Sequence, residues 1–172
     1  MIDLDLQIAY PDEEKASTLD QQVQWPSLAD FQLWCDLVMQ GHPAYQHHAL
    51  SIRLVNGEES QHLNATYRGK DYPTNVLSFP FELPEDLPEE AQAECNLLGD
   101  IVICVPQVVQ EAKAQGKLLQ HHWAHLVIHA CLHLLGYDHI QEAQAEQMEA
   151  LEVKLLASLG IANPYDVEGY EV

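Results

Sequence analysis

The stretch His129-Ala130-Cys131-Leu132-His133-Leu134-Leu135-Gly136-Tyr137-Asp138-His139 holds the residues best suited to chemistry in this 172-residue chain. His129 and His133 are four apart, so on a helix they share one face, about 6 Å apart along the axis. Two imidazoles placed in this way can reach one metal ion. Gly136 can take the positive φ that ends a helix, and the chain can then turn back to offer His139 as a third ligand. Three neutral imidazoles leave one position of a tetrahedral zinc site open, which is the layout of a catalytic site rather than a closed structural one. Zinc lowers the pKa of the water it binds from about 15.7 to roughly 7. His121, His125, His129 and His133 also form a continuous stripe at every fourth residue. Only the 129/133 pair has the glycine turn and a further histidine behind it. His121 and His122 are expected near the helix start and exposed, and His125 either supports the site from behind or lies at the core rim. The expectation is one Zn2+ on His129, His133 and His139, although three imidazoles also suit other first-row metals.

The spacing HxxxHxxGxxH resembles that of the metzincin zinc proteases, whose general base is a Glu directly after the first His. Here that place holds Ala130, which cannot take a proton from water. The metal platform survives, but peptide hydrolysis by that route does not. A second constellation runs from Leu63 to Pro80. Arg68 and Lys70 are two of only seven basic residues, and Asp71, Thr74 and Asn75 follow closely. A guanidinium fork suits a phosphate or a developing oxyanion; the plainer role for Arg68 is a surface pair with Asp71 or Glu58. Asp138 either orients a ligand imidazole or caps the turn.

The two constellations together, with Gly99-Asp100-Ile101 between them, resemble the YbeY family of bacterial endoribonucleases. The carrying segments are Asn64 to Phe81, Gly99 to Ile101, and His129 to His139 with its Gly136-Tyr137-Asp138-His139 ending. The resemblance implies zinc on His129, His133 and His139 and a functional arginine at Arg68, with Arg68 and His129 as catalytic residues. It implies zinc-dependent, single-strand-specific endoribonuclease activity in ribosomal RNA maturation, at the 3′ end of 16S rRNA, and in ribosome quality control. The implied partners are single-stranded and ribosomal RNA, together with small-subunit ribosomal proteins and an assembly GTPase; neither DNA nor a membrane is implied. Ala130 stands where the family often has Gly, another small residue that does not ionise. The alternative reading is a non-catalytic ribosome-assembly factor with structural zinc, and a zinc peptidase is the remoter one.

Several elements must position these residues. Alternating apolar residues over 2–9 predict a strand. Ser27 is a suitable N-cap for a helix carrying Leu28, Phe31, Trp34, Leu37 and Val38, closed by Gly41 to Pro43. A strand is expected over 49–55, a turn at Asn56-Gly57, a helix over 58–68, a β-rich run over 75–81 and a strand over 99–105. Helices follow over 106–116, 118–135 and 141–159. The last is expected to pack through Met148, Leu151 and Leu155. Residues 82–96, rich in acids and proline, read as a solvated loop. The predicted fold is a single α+β domain over residues 1–172. A small mixed sheet of about four strands packs against several helices, with a metzincin-like zinc-binding helix and a weakly ordered acidic tail from about 161. Trp25, Trp34 and Trp123 are expected in the core or at its rim.

The chain carries 27 acidic and 7 basic residues, a formal charge of −20. Broad non-specific binding to nucleic acid needs clustered cations and is excluded. Position refines this: segments 31–80 and 101–140 hold six acids, five basic residues and all ten histidines, so the candidate site is near neutral. RNA recognition there must be local. Cys35, Cys95, Cys104 and Cys131 form no CxxC pair and read as reduced thiols. No signal-like leader and no stretch of ~18 apolar residues is present, which points to the cytoplasm.

Overall fold

The computed structural model describes residues 1–10, 26–138 and 140–166. Four strands form one mixed sheet, β1 (Asp3–Ile8), β2 (Ala49–Val55), β3 (Val76–Pro80) and β4 (Leu97–Cys104), in the order β1-β2-β4-β3. β1, β2 and β4 run parallel, and β3 closes one edge antiparallel to β4. The edge position explains how Pro80 can lie in a strand, since no ladder partner needs its missing N–H.

Six α-helices are described: α1 (Leu28–Gln40), α2 (Gly57–Arg68), α3 (Glu89–Glu94), α4 (Val105–Gln115), α5 (Leu119–Leu134) and α6 (Glu142–Ser158). Ser27 caps α1 as expected, and its capping box is completed by Asp30. Asn56, read as a turn residue, is the N-cap of α2 and accepts from the Glu59 N–H at 2.9 Å. Residues 82–96 are not loop throughout, because α3 lies inside them.

The sheet's alternation sorts the core into two layers. Leu50, Ile52 and Leu54 of β2 and Ile101 and Ile103 of β4 face the larger layer, with α1, α4, α5 and α6. Val55, Val102 and Cys104 face the other side, where Leu63 of α2 and Phe79 cover them. Helix α5 is the centre of the first layer; Ala124, Leu126, Val127, Ile128, Ala130, Cys131 and Leu132 are fully buried. A helix apolar on all sides must be surrounded, and α1, α4, α6 and β3 all pack on it. Trp34 and Trp123 lie in this core, while Trp25 lies outside the described residues. His122 departs from expectation: it is buried, with Nε2 at 3.1 Å from Glu111 Oε1, because α4 runs beside the start of α5. All four cysteines are free thiols. No described helix is long and apolar enough to cross a membrane.

Gly99 fixes how β3 meets β4. Its φ is +146°, and a Cβ there would stand 2.3 Å from the Phe79 carbonyl oxygen and 3.0 Å from Leu134. Only glycine allows so close an approach. The register between β2 and β4 shifts at the same place, between Ala49 and Leu50.

Candidate active site

A cleft of about 580 Å³ opens between β3, the end of α2 and the C-terminal half of α5. His129, His133, Arg68, Lys70 and Asp138 all line it. The Nε2 atoms of His129 and His133 stand 3.1 Å apart. Two nitrogens on a tetrahedral zinc, each at about 2.0–2.1 Å, are about 3.3 Å apart. The pair therefore converges at the separation that one ion requires. Among the described residues no group of three His, Cys, Asp or Glu side chains is arranged to hold a metal; His139, the expected third ligand, lies outside the described residues.

The turn after α5 is built as the sequence suggests. The Tyr137 N–H donates to Leu132 O at 3.1 Å and the Gly136 N–H to His133 O at 3.0 Å, a Schellman motif with Gly136 at φ +99°. Tyr137 is then anchored from a distance, with its hydroxyl 3.0 Å from His42 Nε2. The Asp138 carboxylate accepts from the Ile140 N–H at 3.2 Å, so this aspartate caps the turn.

Behind the histidines lies a residue that the sequence reading missed. Glu152 of α6 is fully buried. Its Oε1 stands 2.5 Å from His129 Nδ1 and its Oε2 3.0 Å from His125 Nε2. The Tyr165 hydroxyl donates to Oε2 as well. Burial pushes the Glu152 carboxyl up, but hydrogen bonds from His125 and His129, and their charge, outweigh it and hold it at about 2. Burial lowers the His125 pKa against the pull of Glu152. A carboxylate only accepts, so the proton of a neutral His129 sits on Nδ1 and its lone pair on Nε2, facing His133.

Arg68 ends α2, with Gly69 at φ +70° beyond it. Its guanidinium pairs with neither Asp71 nor Glu58. One Nη donates to Ser78 O at 2.7 Å and the group lies 5.1 Å from the Phe79 ring centre. The remaining N–H groups are left for an anion at the cleft. Asn75, which also lines the cleft, is steadied by Glu111, which bonds both its amide at 3.1 Å and His122. The residue directly after His129 is Ala130, which has no ionisable group and is fully buried.

Comparison with known proteins fits this arrangement. A family model described as Endoribonuclease YbeY matches residues 12–160. A protein named Endoribonuclease YbeY from Stutzerimonas stutzeri is 52% identical over 165 residues, covering 96% of this chain and 92% of its own. Its namesake from Pseudomonas entomophila is 56% identical over 140 residues, 81% and 85% of the two chains. Among solved structures, the solution structure of TM1509 from Thermotoga maritima superposes with a TM-score of 0.53 at 22% identity, covering 99% of this chain and 100% of that one. That likeness concerns the fold alone.

Proposed function

The chain belongs to the YbeY family, and on that premise we propose that it is an endoribonuclease that hydrolyses single-stranded RNA at a zinc ion held by His129, His133 and His139. The observation that supports this most is the 3.1 Å separation of the His129 and His133 Nε2 atoms in a cleft that Arg68 also lines. A bound zinc ion supplies a Lewis acid that acidifies water and polarises a phosphoryl oxygen. The protein's own groups do the rest. Glu152 holds His129 with Nε2 forward. Arg68, braced by Ser78 and Phe79, places N–H donors where charge builds on the phosphate oxygens. Lys70 adds a second cation to the cleft lining. The substrate in this reading is single-stranded ribosomal RNA during maturation, including the 3′ end of 16S rRNA, with a role in ribosome quality control. Small-subunit proteins and an assembly GTPase are the proposed partners, and the cytoplasm is the proposed setting.

The reading is tested on single-stranded and duplex RNA oligonucleotides. Wild-type protein is expected to cut the single strand and spare the duplex, and a chelator is expected to abolish cutting. Arg68→Ala is expected to lower the rate by about 10²–10³. A chelator-insensitive rate, or full activity in Arg68→Ala, contradicts it.

A further inference from the structure

We infer that Glu152, reinforced by Tyr165, is the positioning residue that presents His129 Nε2 to the metal, which makes Tyr165 an outer support of the metal site. The inference rests on the reading of His129 and His133 as metal ligands, and concerns residues to which that reading gives no part. Burying a carboxylate is costly unless its oxygens are well satisfied. Glu152 has no exposed surface, and among the described residues it is met by neither Lys nor Arg; its partners there are His125, His129 and Tyr165. Such a residue gains nothing as packing that a leucine would not give at smaller expense. What it does that leucine cannot is accept from His129 Nδ1 at 2.5 Å, which fixes the tautomer and the rotation of that ring. The acceptor is carried by α6 while the ligand pair is carried by α5, so the ring is held from outside its own helix.

Tyr165 completes the device. It lies in a 3-10 turn, Pro164–Asp166, after α6, and its hydroxyl reaches both Glu152 and, at 3.3 Å, His125 Nε2. Its ring packs edge-on against His125 with centres 5.5 Å apart. Tyr165 falls beyond the residues 12–160 that the family model matches. This chain therefore supplies an outer brace that the matched region does not contain.

The experiment measures zinc affinity by chelator competition on the full chain, for wild type, Glu152→Gln, Tyr165→Phe and His133→Ala. Glu152→Gln keeps the shape and removes the charge; affinity is expected to fall by about 10–100-fold. Tyr165→Phe is expected to fall by at least about threefold in the same direction. In parallel, the nitrogen chemical shifts of His129 in metal-free wild type are expected to show a proton on Nδ1, the nitrogen that faces Glu152, a reading that needs no variant to fold. Zinc affinity in Glu152→Gln within about twofold of wild type, with His133→Ala strongly weakened, overturns the inference but leaves the site reading standing. Unchanged affinity in both variants overturns the site itself. A His129 ring with no proton on Nδ1 overturns the inference whatever the variants do.

Discussion

The hydroxyl of Tyr137 stands 3.0 Å from His42 Nε2, across 95 residues of sequence, and His42 Nδ1 is in turn 3.0 Å from Val38 O at the end of α1. Their rings also meet edge-on, 5.7 Å apart. The turn that follows α5 is thus tied to a different helix, and Asp138 enters the cleft from that tether. Tyr137→Phe removes one hydrogen bond and keeps the ring contact. Its urea-unfolding stability is expected to drop by about 0.5–1.5 kcal/mol. Zinc affinity is expected to fall with it, because the loosened turn carries the segment leading to His139. A variant with unchanged stability shows that the tether holds nothing.

Gly99 provides a sharper test of the sheet edge that forms the cleft wall. Gly99→Ala places a methyl 2.3 Å from the Phe79 carbonyl oxygen at φ +146°. The backbone alone is expected to lose about 1–3 kcal/mol, and the clash adds to that. Gly136→Ala, at φ +99° with nothing within 4 Å of the new methyl, is expected to lose the backbone part only. Urea unfolding of both compares them directly, and equal losses would mean that the close approach of β3 to β4 does not matter.

Much of the site was legible because its signals are local. The four-residue spacing of His129 and His133 and the Gly136 turn are set within a few residues of chain, and the structure has both. Glu152 was not legible, for a physical reason. Met148, Leu151 and Leu155 of α6 do pack on the core as expected, but the fully buried positions beside Met148 are Glu152 and Leu156. An acid on a helix reads as solvated unless its partners are known, and here they sit 23 and 27 residues back, on another helix. His122 was read as exposed for the same kind of reason, since its burial depends on α4 lying alongside. The mixed sheet followed from strands alternating with helices, but the antiparallel placing of β3 depended on Gly99 and the edge position of Pro80.

Charge placement leads to a further expectation. Among the described residues the Lys and Arg side chains lining the cleft are Arg68 and Lys70, on a chain of formal charge −20. Few phosphates can be neutralised at once, so log affinity for single-stranded RNA is expected to fall with log salt with a slope of about −1 to −3. Titrations by fluorescence anisotropy at several salt concentrations give this slope. A value steeper than about −5 would require a basic surface elsewhere.

The central claim is that His129 and His133 converge on a zinc ion. Elemental analysis of purified wild type and His133→Ala, each shown to be folded, tests it most directly. The account requires about one zinc ion per wild-type chain and a large loss in His133→Ala. Zinc retained at full stoichiometry in His133→Ala, or no metal bound by wild type even after zinc is supplied, would contradict it.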